Sequence, residues 1–329
     1  MADVPVAKGV WRARLEVATW IIGTGVAIAM LVLALTGGED DSRADDGPNT
    51  TTTEEGTGPD GGPTTVEGGE PTVETTDAEG IVAVLSRATG DPQAFLLDVA
   101  QGDPEPALGG RSIAGPSTTP DATLVAAAVE EEGGHVILVG PADGSQEPRT
   151  FAVEGEVTST ALAPDGRQVA FVTDAGGSEG VRILDLDSGA VRVLADGTAD
   201  EADPDWSADG ELIAYVRPGS RRDTIELVRA DDGTSVESFP VDAPASSPSF
   251  APDGRSIAYI ADVAGNRDVF VGALDGSEAV NRSHSPDEET GVVLLAGGWL
   301  VTSASDRGLV LVAPDGGTTQ LTATPGDRV

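Results

Sequence analysis

Along most of this chain apolar and polar positions alternate in short runs, and the runs return at a fixed interval. Three of them follow an Asp-Gly pair: Val169 with Phe171, Ile213 with Tyr215, and Ile257 with Tyr259. Alternation with period two predicts a strand with one buried face. Ahead of each pair an apolar residue, Leu162, Trp206 or Phe250, ends another extended run. Pro164 or Pro252 presets φ at the first turn position, and Gly166, Gly210 or Gly254 supplies the residue with positive φ. Each phrase therefore reads as a β-hairpin. The turn residues Asp165, Asp209 and Asp253 stand 44 residues apart. A constant period of this size predicts a solenoid, a propeller or an array.

The same step reaches Asp121 and Asp77 upstream and Gly297 downstream, where the turn is degenerate, as terminal repeats tend to be. Six units result, from near Thr72 to the C-terminus. Each carries a second hairpin. Its first strand reads Val181–Leu186, Thr224–Val228, Asp268–Val271 or Leu309–Val312, followed by Gly189, Gly233, Gly276 or Gly316 and a short fourth strand such as Val191–Leu194 or Thr319–Leu321. Four strands per unit of forty-odd residues is the blade of a β-propeller. The expected fold is thus all-β: a six-bladed propeller over residues 71–329, four strands per blade.

The pattern changes ahead of the repeats. Residues 1–16 carry Lys8, Arg12 and Arg14, and residues 17–36 hold no charge. A run of about 20 such residues, rising ~1.5 Å each, spans a ~30 Å hydrocarbon core. Basic residues before it and Glu39, Asp40 and Asp41 after it predict a single-pass signal-anchor helix with a cytoplasmic N-terminus. Leu33-Ala34-Leu35-Thr36 is a poor cleavage site, so the helix is expected to stay as an anchor. Residues 37–70, built of Gly, Thr, Pro, Asp and Glu, lack the apolar content to offset ordering entropy and read as a disordered tether reaching on the order of 30 Å.

Composition narrows the chemistry. The chain has no cysteine, which excludes disulfides, thiol catalysis and Cys-ligated zinc. Its formal net charge is −37 and Lys8 is its sole lysine, which argues against a nucleic-acid partner. The histidines, His135 and His284, lie far apart and read as strand-edge or loop residues. Two acidic loops, Asp200–Asp205 and Ser285–Glu289, offer clustered carboxylates but match no calcium-loop pattern. No metal, cofactor or catalytic residue is therefore expected.

Pro204-Asp205-Trp206-Ser207-Ala208-Asp209-Gly210 and Pro248-Ser249-Phe250-Ala251-Pro252-Asp253-Gly254 resemble the repeats of the TolB-like, WD-repeat-like propeller family; Leu162–Phe171 matches well, and the outer units match weakly. The resemblance implies a six-bladed propeller on the outer side of a bacterial membrane, holding a protein partner. Propellers host many activities, so function must come from the site. Family relatives precede an α/β-hydrolase domain, but no G-x-S-x-G elbow occurs here, and adjacent Asp and Gly do not fit sialidase Asp boxes. The expected function is a binding or scaffold module in the cell envelope. The alternatives are a propeller-type hydrolase or lyase, and a sensor of a small envelope ligand. Arg217, Arg221 and Arg222 in unit four, Arg267 in unit five with Arg282 beyond it, and Arg307 in unit six are expected to gather on one face. Such a cluster suits bidentate capture of an acidic protein segment or an anionic envelope polymer.

Overall fold

The computed structural model describes residues 80–86, 93–100, 104–108, 114–197, 199–275, 277–304 and 308–321, with two short pieces, β1 (Arg14–Leu15) and β2 (Leu33–Ala34), that pair antiparallel. Apart from those pieces, the helix expected over residues 17–36 and the linker 37–70 lie outside the described residues. Among the described residues no helix is long and apolar enough to cross a membrane.

The rest is all-β, and successive strands pair with their sequence neighbours. Sheet one holds β3 (Ile81–Ser86), β4 (Gln93–Asp98) and β5 (Pro104–Pro106). Sheet two holds β6 (Ala114–Thr118), β7 (Leu124–Glu131), β8 (Gly134–Pro141) and β9 (Arg149–Ala152). Sheet three runs through β10 (Val157–Leu162), β11 (Gln168–Thr173), β12 (Gly180–Asp185) and β13 (Val191–Ala195). In sheet four the strands are β14 (Ala202–Trp206), β15 (Leu212–Arg217), β16 (Asp223–Arg229) and β17 (Ser235–Val241). Sheet five comprises β18 (Ala245–Phe250), β19 (Ser256–Val263), β20 (Asn266–Ala273) and β21 (Val280–Asn281). Sheet six ends the series with β22 (Glu289–Leu294), β23 (Leu300–Ala304), β24 (Gly308–Val312) and β25 (Thr318–Gln320).

Five four-stranded blades are thus present, where six were expected, and sheet one has three strands. The 44-residue register accounts for the shortfall. It aligns β3, β4 and β5 with the second, third and fourth strands of the other units, so the place of a first strand falls ahead of Gly80, outside the described residues.

The predicted turns are made as read. The N–H of Ala122, Gly166, Gly210 and Gly254 donates to the carbonyl three residues back at 2.8–2.9 Å, and Gly298 does the same at 3.3 Å. Asp121, Asp165, Asp209 and Asp253 each accept the N–H two residues on, at 2.9–3.1 Å. Ala122 occupies the left-handed position in its unit with φ 53°, a strained choice for a residue with a Cβ.

The packing departs from the expectation of one buried face. Val169 and Phe171 face sheet two, while the intervening Ala170 and Val172 face sheet four, and all four are buried. The same division recurs where Ile213 and Tyr215 face back and Ala214 faces forward. Large residues thus meet alanines of the sheet before: Phe171 packs with Ala126 and Ala128, and Trp206 and Tyr215 with Ala161 and Ala170. The alternation is large against small, because each sheet lies between two others and neither face of its middle strands meets water.

Six such seams account for the core. The sixth joins the ends of the chain: Val82, Phe95, Leu97 and Val99 of unit one pack on Leu295, Val301, Leu309 and Leu311 of unit six. The ring is therefore closed by side-chain packing. Leu311→Ala, at a fully buried position of that seam, should cost about 2–5 kcal/mol. Deleting residues 291–329 should abolish the cooperative thermal transition, and a truncated chain melting near the parent would contradict closure. Trp206→Ala should cost about 3–5 kcal/mol, and it also removes the indole N–H that donates to Ala161 O at 2.9 Å.

Candidate functional site

In an antiparallel meander the connection after the second strand and the one after the fourth emerge at the same end. That end of sheets three to five carries loop 174–179, the inter-sheet run 196–201, loop 218–222, and runs 242–244 and 282–288. Charge is divided across it. Glu179 lies beside Asp174, Asp200 and Asp203, and its carboxyl is pushed above the usual range, first by burial and then by Asp200. Buried Glu201 is pushed up by desolvation, although it accepts the Gly197 N–H at 3.4 Å.

The sequence-predicted arginines part company here. Arg217 is ion-paired with the buried carboxylate of Glu226, whose other oxygen accepts a hydrogen bond from Ser238 Oγ at 2.6 Å. Arg217 also acts on Glu201, and Glu226 on Tyr215, whose hydroxyl is pushed up to about 12 mainly by burial. Arg267 donates to Ser246 Oγ at 3.1 Å and faces Asp203. Arg282 reaches the next sheet, donating to Ala313 O at 3.0 Å and Gly298 O at 3.4 Å. Arg307 lies outside the described residues. Arg221 and Arg222 remain exposed, and Arg222 makes a surface pair with Asp242 at 3.3 Å. The outward cationic feature of this face is thus the loop Pro218–Arg222.

Arg282 belongs to a series. Arg149 donates to Leu186 O and Arg192 to Ala230 O, each from an outer strand to the third-strand end of the next sheet. A second series joins the first strands. Leu162 N donates to Ser117 Oγ at 3.0 Å, Phe250 N to Asp205 Oδ2 at 2.7 Å and Leu294 N to Ser249 Oγ at 3.1 Å. The carboxylates of Asp203 and Asp205, offered by the sequence as loop acids, are therefore interior acceptors between sheets. Their signal was present in the repeat, since they stand where the other units carry Gly115 and Ser117, Ser159 and Ala161, or Ser247 and Ser249.

His135 Nδ1 accepts the Val157 N–H at 3.2 Å, and His284 is exposed with φ 45°. Among the described residues no group of three or more His, Asp or Glu is arranged to hold a metal ion. In the second acidic loop Ser285 Oγ accepts the Asp287 N–H at 3.0 Å. On the outer side a cleft of about 400 Å³ opens between sheets two and three, walled by Phe171, Thr173, Arg182, Val191 and Val193. Arg182 there is paired with Asp196 at 3.3 Å.

These features define a propeller whose polar interior is largely engaged in holding sheet to sheet. The chain belongs to the TolB β-propeller domain family, whose model matches residues 75–285. Among solved structures it is similar to TolB from Acinetobacter baumannii, at 18% identity and a TM-score of 0.57 over 72% of this chain and 62% of that one. A chain of a nidogen/laminin complex aligns at 12% identity and a TM-score of 0.57, covering 75% and 93% of the two chains. The hydrazine synthase of Kuenenia stuttgartiensis aligns at 15% identity and a TM-score of 0.54, over 75% and 80%. At these identities the likeness is one of fold. This chain spans less than two thirds of the Acinetobacter TolB chain. No curated protein matches the sequence.

Arg217→Met would leave Glu226 buried without its cation. The side chain of Arg217 is 48% exposed, so the cost is discounted to about 1–3 kcal/mol. Arg221→Glu with Arg222→Glu should melt within about 1–2 °C of the parent, because both side chains are exposed. Thermal unfolding of the two variants side by side checks the division.

Proposed function

We propose that this chain is a non-catalytic binding module of a bacterial cell envelope. In this reading residues 17–36 anchor it in the membrane with residues 1–16 in the cytoplasm, residues 37–70 form the tether, and residues 71–329 form the head outside. Sheet one counts as the sixth blade. Membership of the TolB β-propeller domain family supports the binding role, and the charge asymmetry about residues 17–36 supports the orientation. The observation that carries the docking face is the exposed Arg221–Arg222 pair on a chain of net charge −37. Two adjacent guanidinium groups free of buried carboxylates suit an acidic protein segment or an anionic envelope polymer.

A second reading, a sensor of a small envelope ligand, is favoured by the cleft of about 400 Å³ between sheets two and three, which lies within the size range of small-molecule sites.

Two measurements test the proposal. Protease added to intact spheroplasts should remove everything beyond about residue 40, and a head protected until lysis would reverse the orientation. The solubilised full-length chain used as bait should recover one stoichiometric envelope component. That capture should weaken with salt and in the Arg221→Glu, Arg222→Glu variant. Equal capture by the folded variant would exclude this loop. Saturable binding of a small ligand with no macromolecular partner would favour the sensor.

A further inference from the structure

The blades differ at one cross-strand position toward their outer edge. Neighbouring strands set Ala127, Leu138 and Thr150 side by side in sheet two, and Phe171, Arg182 and Val193 in sheet three. The same register brings together Tyr215, Glu226 and Ser238 in sheet four, and Tyr259, Phe270 and Asn281 in sheet five. Sheet four satisfies its charge within the chain, because Glu226 takes Arg217 and the Ser238 hydroxyl. Sheet five has no charge there, and its two rings stack with centroids 5.9 Å apart. Sheet three is the exception, with a buried guanidinium beside valines left in water. Arg182 is 7% exposed, Val191 47% and Val193 56%.

These three residues line the cleft of about 400 Å³ between sheets two and three, with Val153 on the sheet-two side. Room for the guanidinium is built in: a Cβ at Gly176 would stand 3.1 Å from Nη2, and one at Gly180 2.9 Å from Nη1. Nη1 donates to Ala195 O at 3.2 Å, and Nη2 stands 3.3 Å from Asp196 Oδ2 as an ion pair. Both partners lie at the end of β13 in the same sheet. Among the described residues Nε has no acceptor, and neither Nε nor Nη2 is sealed from solvent. A charge withdrawn from water is costly unless it is fully bonded. The Asp196 side chain is itself 39% exposed, so the guanidinium keeps capacity for a second carboxylate.

We propose that this cleft, read as the ligand site of a sensor, binds a small monocarboxylate with an apolar body, an assignment that rests on that reading. The carboxylate lies on Arg182, whose planar fork suits it, and the body lies along Val191 and Val193. Covering those valines adds hydrophobic stabilisation that a bare inorganic anion cannot gain. Glu154 on the cleft wall and Asp196 beside Arg182 select against a second negative charge on the ligand.

The test is methyl NMR on the full-length chain with labelled valines, titrated with 4-phenylbutyrate and separately with the uncharged 4-phenylbutanamide. The carboxylate should shift the Val191 and Val193 methyls saturably. Those of Val236 and Val280, exposed on the outer strands of sheets four and five, should stay in place. The carboxylate should bind about tenfold more tightly than the amide, as one charge-assisted pair provides. Asp196→Asn should tighten its binding several-fold by removing the competing carboxylate, and Arg182→Met should abolish the preference over the amide. Equal binding of the two probes at Val191 and Val193 would overturn the carboxylate assignment while leaving the cleft a ligand site. Shifts at neither valine, or equal shifts at all four, would overturn both. The two probes compared on the parent chain decide this even if Arg182→Met fails to fold.

Discussion

Every sheet of this protein must bury both of its faces, and that requirement governs the rest. A sheet with a solvated face needs apolar residues at alternate positions only, whereas here second strands carry consecutive buried apolar residues, as in Val169–Val172 and Ile213–Val216. The large residues of one sheet sit on the alanines of the sheet before, as Phe171 does on Ala126 and Ala128. Small residues on one side of a seam allow close approach near the inner strands, and large ones on the other fill it. No sheet can do this alone, so stability is a property of neighbours and, at the last seam, of the two ends of the chain. A lost seam leaves two apolar faces in water rather than one.

The polar groups of the interior serve the same requirement. First strands that lie side by side around an inner ring present backbone N–H groups with no strand to pair with, and buried donors need acceptors. The chain supplies them from the preceding sheet, residues 44 or 45 apart in sequence: Ser117, Asp203, Asp205 and Ser249. Farther out, arginines perform the converse task by donating to carbonyls. The repeat is thus more than a succession of hairpins, since each unit carries the hydrogen-bonding complement of the next.

Much of this was legible in the sequence. Periodicity located the hairpins, the Asp-Gly turns and the indole of Trp206, because these depend on residues close together in the chain. The pairing partners of the arginines were not legible in the same way. Arg217 and Arg221 are four residues apart and look alike in a basic loop, yet one meets buried Glu226 and the other projects outward. That difference is set by strand register, which carries Arg217 to the end of β15 opposite β16. Arg282 was assigned to a surface for the same reason, although its reach is to a neighbouring sheet. Asp203 and Asp205 became visible once equivalent positions of the repeats were read against one another.

The arginines that grip backbone carbonyls have an effect beyond the seams they close. With 19 basic against 56 acidic side chains, each guanidinium turned inward toward an amide oxygen is withheld from the carboxylates outside. The exterior therefore keeps a strong negative potential. An anionic bilayer repels a domain of this charge, and the repulsion reaches farther as the ionic strength falls.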